Sequence, residues 1–387
     1  MGIEINKIAV LGSGAMGSGI AQVCAQAGFD VAMRDIEDRF LEKGFEMIRD
    51  SLQRFARKGK IEEGDVEKIL GKIKRTTDLK EAVGNADVVI EAVPEIMDLK
   101  LKVFKEVDEI APKDAILASN TSFMSITEMA KTTGREEKVV GMHFFNPAAI
   151  MKLVEVIKAE KTSEDVMKAI TDLVEKVGKV PVRVEKDTPG FIVNRVSAPS
   201  AALAGAILDK KVAEPEEVDA RLMELGQPMG VYILMDYVGL DIYVDGQEYC
   251  EKTLSPDYKP AKVIKDLVDK KELGMKAGKG IYDWSAGRPQ VDPSKATDKV
   301  EPTDFIAVQI NEAVKILEEG VADNTEDVNT AMKFGMSMPL GPFELVDMVD
   351  DLKGTLENLA QKYEKKIFEP VTPIKEGKLE EFLAKYR

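Results

Sequence analysis

One histidine, His143, is present in the 387 residues, so any chemistry that needs an imidazole runs through one position. It ends a short apolar run, Val139 to Met142, and begins the segment HFFNP. Glu155 follows inside KLVEVI, where strand alternation puts it on the same face as Leu153 and Ile157. An acid between apolar neighbours is costly to bury unless a cation or a hydrogen-bond donor meets it. The other reading of Glu155 is an exposed face on an edge strand. A histidine held by a carboxylate suits proton transfer near neutral pH, because the carboxylate orients the ring and stabilises its charged form. Ser122 in SNTS and Asn194 in TPGFIVNR are neutral polar groups suited to surround a substrate oxygen, although both residue types also serve as ordinary loop and cap residues.

A second constellation lies at the N-terminus. The β-branched run Ile5 to Leu11 leads into GSGAMGSGIAQVCAQAG, where Ile20, Val23, Cys24 and Ala27 recur at helical spacing. Gly12, Gly14 and Gly17 fill the G-x-G-x-x-G positions of a turn that lets a helix N-terminus meet phosphate. A second strand, Asp30 to Met33, leads to Asp35, placed to hold an adenosine ribose through its hydroxyls. A carboxylate there repels a 2′-phosphate, which favours NAD over NADP; the neighbouring Arg34 reads as a solvated strand end. An NAD site beside a histidine and a glutamate points to alcohol oxidation, with hydride leaving the carbinol carbon while His143 takes the hydroxyl proton.

The elements that must position these residues follow from the pattern. Further strands are expected at Ala86 to Ala92, Ala115 to Ala118 and Val139 to Met142, separated by helical stretches such as Asp98 to Ile110. Alternating strands and helices imply a parallel, doubly wound sheet, whose ligands bind beyond the carboxyl ends of the strands. Glu95, Asn120, Thr121, Ser122 and His143 stand there. From about Lys186 the pattern turns helical and repeats: EEVDARLMELGQPMGVYILMDYVG (216–239) and EDVNTAMKFGMSMPLGPFELVDMVD (326–350) share an acidic-Val start, a turn with Pro and Gly, and an aspartate, Asp236 or Asp347. The polar segment 285–303, with three prolines, reads as a linker. The expected fold class is α/β: an N-terminal Rossmann-type doubly wound sheet over 1–185, then two repeated all-α domains over 186–287 and 300–387.

Composition narrows the chemistry. Lys and Arg number 54 against 69 Asp and Glu, a net charge of −15 and the wrong sign for coating nucleic acid. With one histidine and only Cys24 and Cys250 as thiols, neither a histidine-rich metal site nor a disulfide framework is expected. No apolar run of about 18 residues and no signal-peptide pattern is present, so no membrane association and a cytoplasmic location are expected. One basic island, RFARKGK at 54–60, reads either as a solvated helix end or as an anchor for the phosphates of a charged substrate.

Seven segments in order, VLGSGAMGSGIA, EAVPEIMDLK, SNTS, HFFNP, MKLVEVI, DTPGFIVNR and GMKAGKGIYDW, make the chain resemble the 3-hydroxyacyl-CoA dehydrogenases over essentially its full length. The resemblance implies NAD-dependent, reversible oxidation of an (S)-3-hydroxyacyl-CoA to the 3-oxoacyl-CoA, a reaction of fatty acid β-oxidation, with a short substrate such as 3-hydroxybutyryl-CoA preferred. It implies His143 as base, Glu155 as its orienting partner, and Ser122 and Asn194 on the substrate oxygen. Gly12, Gly14, Ala15, Met16, Gly17, Asp35, Glu95, Lys100 and Asn120 would contact NAD, and Arg54, Lys58 and Lys60 would lie near CoA.

Two features depart from the family pattern. Phe123 follows SNT-Ser122 where a small polar residue is usual, and PMGVYILMDYVG replaces the usual PMGPFEL. Short members of the family pair through their helical domains, so the second copy is expected to supply that contact internally, giving a monomeric pseudo-dimer, with a homodimer as the alternative. The same duplication occurs in relatives fused to an enoyl-CoA hydratase, so association with such a hydratase is a further expectation. Two rival functions remain open: a dehydrogenase of free 3-hydroxyacids, and a non-catalytic NAD-binding relative.

Overall fold

The structure, a computed structural model, describes residues 3–224, 226 and 228–387; Leu225 and Gln227 of the first repeat copy lie outside the described residues. Two compact units result. The first contains the chain to Phe191 together with 320–322 and 330–339, and the second contains 192–319, 323–329 and 340–387. The first unit thus runs slightly beyond the expected boundary at 185, and both helical copies contribute to the second.

The first unit is built on one sheet of eight strands: β1 (Lys7–Leu11), β2 (Asp30–Arg34), β3 (Ile73–Thr76), β4 (Val88–Glu91), β5 (Ile116–Ser119), β6 (Val139–Phe144), β7 (Leu153–Lys158) and β8 (Val180–Val184). Their order is β3-β2-β1-β4-β5-β6-β7-β8, so the chain switches direction of travel between β1 and β4. In such sheets the crevice at that switch takes the ligand. The strands β4, β5 and β6 are buried throughout, which is why they read as continuous apolar runs. Edge strands β3 (IKRT) and β8 (VPVRV) carry polar residues or a proline, so neither has that signature.

One pairing departs from the expected parallel sheet. β7 runs antiparallel to β6, while every other neighbouring pair is parallel. The connection from Phe144 to Leu153 is too short to hold a crossover helix, so the chain reverses and pairs beside itself. Helix α1 (Ala15–Gln26) buries Ile20, Ala21, Val23 and Cys24, and α2 (Asp38–Arg57) buries Leu41, Gly44, Ile48 and Leu52, one stripe at helical spacing. Val321, from the second copy, accepts a hydrogen bond from the Glu185 N–H just beyond β8, at 2.8 Å.

The second unit carries the repeat in its hydrogen bonds as well as its sequence. The helices Val193–Asp209 and Pro302–Glu318, one from each copy, pack along each other. Their shared core includes a buried ion pair: Arg195 meets Glu312, each 2 % exposed, and also Glu319 at 3.1 Å. Asp219 of the first copy accepts the Tyr232 N–H at 2.9 Å, and Asn329 of the second accepts the Phe343 N–H at 3.0 Å. Gly230 and Gly341 pass so close to these side chains that a Cβ on either would lie within 2.4 Å of them. The copies differ at the next aspartate. Asp236 is buried and accepts hydrogen bonds from Ile281 N, Tyr282 N and Trp284 Nε1, whereas Asp347 is exposed, because the second copy has no counterpart of GKGIYDW. From the expected linker, Lys295 pairs with Glu216 of the first copy.

Candidate active site

The turn after β1 shows what each glycine does. Gly12 has φ +102, and a Cβ there would lie 2.5 Å from the Ala92 carbonyl oxygen; one on Gly17 would lie 1.9 Å from the Gly12 oxygen. Backbone packing across the β1–β4 switch therefore demands both. A Cβ on Gly14 would meet nothing within 4 Å. That open approach, at the N-cap of a helix with no side chain capping it, leaves backbone N–H groups available to a pyrophosphate. Ala15 is exposed and Met16 half-buried in the first turn of α1. Asp35, just after β2, accepts hydrogen bonds from Ser13 N and Ser13 Oγ at 2.7 Å, which pins its carboxylate beside the turn. These residues fit an adenine dinucleotide.

His143 and Glu155 are cross-strand partners, paired in the β6–β7 register. Residues directly opposite each other in an antiparallel pair project to the same face. His143 Nδ1 lies 2.6 Å from Glu155 Oε2, with side-chain exposures of 4 % and 0 %. β7 is an interior strand, so the edge-strand reading of Glu155 falls: the acid is buried and the histidine meets it. An ionised carboxylate only accepts, so Nδ1 carries the proton toward Glu155 and Nε2 is left to act on a ligand. Two aromatic rings touch the imidazole, Phe145 at 4.4 Å between centroids and Phe191 at 5.7 Å.

A buried polar network supports the loop after β5. Glu91, 2 % exposed at the end of β4, accepts from Ser119 Oγ at 2.6 Å, Val93 N at 2.7 Å and Lys100 Nζ at 2.8 Å. Lys100 is 1 % exposed and also pairs with Glu95 at 3.1 Å. Glu95 in turn accepts from the Thr121 hydroxyl and from Ser122 N at 2.9 Å. Burial works against the charge of Glu95, but the nearby Lys100 and these hydrogen bonds outweigh it and hold the carboxyl below its usual range. Asn120 Oδ1 accepts the Phe144 N–H at 2.9 Å, tying this loop to the strand that carries His143.

The structure thus joins His143 to Glu155, Lys100 to Glu95 and Glu95 to Ser122. Lys100, expected at the cofactor, is enclosed between two glutamates. Asn194 belongs to the second unit, in the first turn of the helix Val193–Asp209. Arg54, Lys58 and Lys60 are exposed at the C-terminal end of α2, with the Lys60 ammonium 5.0 Å from the Phe55 ring centroid. Sequence reasoning missed Glu91, although it carries the same signal that marked Glu155: an acid within an apolar strand. Phe191 carried no such signal.

The profile of the 3-hydroxyacyl-CoA dehydrogenase NAD binding domain matches residues 7–188, and that of the 3-hydroxyacyl-CoA dehydrogenase C-terminal domain matches twice, at 190–284 and 304–381. The chain belongs to the 3-hydroxyacyl-CoA dehydrogenase family. It is an oxidoreductase, and its cofactor is NAD. A Bacillus subtilis protein named "Probable 3-hydroxybutyryl-CoA dehydrogenase" is 43 % identical over 285 residues, 73 % of this chain and 98 % of that protein. The fatty acid oxidation complex subunit alpha of Psychrobacter cryohalolentis is 37 % identical over 372 residues, 89 % of this chain and 51 % of the longer relative. The crystal structure of 3-hydroxybutyryl-CoA dehydrogenase from Escherichia coli superposes with a TM-score of 0.89 at 29 % identity, covering 98 % of this chain and 99 % of that one. The double match of the C-terminal profile coincides with the repeat seen in the sequence.

Proposed function

We propose that the chain interconverts (S)-3-hydroxyacyl-CoA and 3-oxoacyl-CoA with His143 as the general base and acid. The observation that carries this reading is the buried pair of His143 and Glu155, 2.6 Å apart, in the sheet that also bears the glycine turn. Bound NAD supplies the hydride acceptor. In oxidation His143 Nε2 takes the hydroxyl proton; Glu155 keeps Nδ1 protonated, orients the ring and stabilises the imidazolium that forms. Ser122, with its backbone held by Glu95, binds the substrate oxygen, and Asn120 braces the loop against β6. Lys100 acts through Glu95 rather than on the cofactor directly. For Asn194 at the same oxygen, and for Arg54, Lys58 and Lys60 near CoA, the family resemblance is the support.

A short acyl chain is the preferred substrate, in line with the names of the relatives, and Phe123 beside Ser122 adds bulk next to that position. The helix-to-helix packing of the two copies supports a monomer with an internal pseudo-dimer, and the likeness to the longer alpha subunit supports association with an enoyl-CoA hydratase. No helix among the described residues is long and apolar enough to cross a membrane; the cytoplasm is the compartment we assign. His143→Ala is expected to abolish NADH formation from 3-hydroxybutyryl-CoA while leaving NADH binding intact. Near-normal turnover in that variant would sink the assignment. Comparing 3-oxoacyl-CoAs of increasing length with the free acids separates this reading from a free-acid dehydrogenase.

A further inference from the structure

Phe191 is fully buried and has φ +53, in the left-handed region where a side chain with a Cβ crowds the backbone. The turn before it does not require this. Gly190 already supplies a positive φ of 78°, and the Phe191 N–H closes the turn onto the Thr188 carbonyl at 3.0 Å. A second left-handed residue in succession is a natural place for glycine, yet the chain puts a bulky apolar ring there. Strain of this kind persists where the surroundings over-determine it, and it clusters at functional sites. What the ring touches is the catalytic imidazole: the Phe191 and His143 centroids are 5.7 Å apart at an interplanar angle of 58°.

The need for such a contact follows from the geometry of the base. The Cβ–Cγ bond and the hydrogen bond from Nδ1 to Glu155 hold His143 along one edge, so the rocking that remains, about Cβ–Cγ, is limited by what packs against the faces of the ring. Phe145, at 4.4 Å and 48°, restrains it further, but is itself only half-buried. Phe191 is 0 % exposed and anchored by its own backbone turn. We infer that Phe191 is a positioning residue: its strained backbone holds an aromatic ring against His143 so that Nε2 keeps one direction. The inference rests on the reading of His143 as the base.

The test uses the full chain with Phe191→Leu, which keeps most of the buried bulk, and Phe191→Gly, which relieves the backbone but removes the ring. Two measurements are made on each: kcat and KM for 3-hydroxybutyryl-CoA, and the 15N shifts of the imidazole, which are unambiguous because His143 is the sole histidine. A slightly misplaced catalytic group costs about 100-fold. Phe191→Leu is therefore expected to lose about tenfold and Phe191→Gly about 100-fold in kcat, with KM changed less than about twofold. The ring shifts should move and broaden in the variants as the imidazole samples more than one orientation, while Glu155 still keeps Nδ1 protonated. If both variants keep kcat within about twofold of the parent, or lose it with unchanged ring shifts, the inference is overturned. If the glycine variant does not fold, the leucine variant decides alone. A parent that binds NADH without turning over any acyl-CoA defeats the proposed function, while the 15N comparison still decides the role of Phe191.

Discussion

Replacing Glu155 by glutamine isolates the charge of one buried atom group. The amide keeps the shape of the side chain and an oxygen that accepts the Nδ1 proton, so the sheet and the orientation of His143 should survive. What is lost is the attraction between the carboxylate and the imidazolium that forms as the hydroxyl proton arrives. With Nδ1 and Oε2 2.6 Å apart, the two charge centres are about 4 Å apart, and at an effective dielectric constant of about 20 that attraction is about 4 kcal/mol. The same energy lost from the transition state lowers the rate about 1,000-fold. The assay is single-turnover NADH formation from 3-hydroxybutyryl-CoA, which separates the chemical step from product release. KM and NADH affinity should barely move, because the Glu155 side chain is fully buried and leaves no surface for a ligand to contact. A fall of less than about tenfold in the single-turnover rate would show that the carboxylate only orients the ring, and would refute the electrostatic argument.

Two further substitutions probe the cofactor turn and the helical unit. Gly14→Ala adds a methyl group to open space, so the thermal midpoint should hold while NADH affinity falls about tenfold, whereas Gly17→Ala forces α1 away from Gly12 and should destabilise the fold by about 1 to 3 kcal/mol; unchanged NADH titration of Gly14→Ala would remove that residue from the site. In the second unit, burial pushes the Asp219 carboxyl from 3.8 up to about 6, against the hydrogen bonds it accepts from Tyr232, Tyr282 and Ile233. The folded state therefore holds that proton more tightly than the unfolded state. Its stabilising contribution is complete below about pH 4 and is lost as pH rises through 6. Asp219→Asn copies the residue that the second repeat already uses at Asn329 and cannot ionise, so its stability relative to the parent should rise by about 2 kcal/mol between pH 4 and pH 7. Denaturation curves with a constant difference across that range would contradict this account.

Much of the site was legible one residue at a time. A single histidine, a glycine turn between a strand and a helix, and an acid within an apolar run each carry their chemistry in residue type and spacing. The duplicated helical segment was equally visible, because a repeat is a property of order along the chain. Local pattern also located β1, β2, β4, β5 and β6; burial on both faces of β4, β5 and β6 writes a continuous apolar run there, while β2 alternates. It failed at β3 and β8, where edge strands need no such run, and at Glu91, whose partners Lys100 and Ser119 come from a helix and a strand that only the fold assembles around it.

Pairing is what the sequence alone left open. Whether Glu155 faced water or His143 depended on whether β7 lay at an edge, and on an antiparallel register with no slip, since a shift of one residue would have turned the carboxylate to the other face. Arg195 and Glu312 are 117 residues apart and unremarkable in their helices, yet each is what makes the other tolerable in a dry interior. Residue identity determined which chemistry was available to this protein. The tertiary structure decided which groups share a low-dielectric space: it brings His143, Glu155 and the ring of Phe191 together there from three separate stretches of chain.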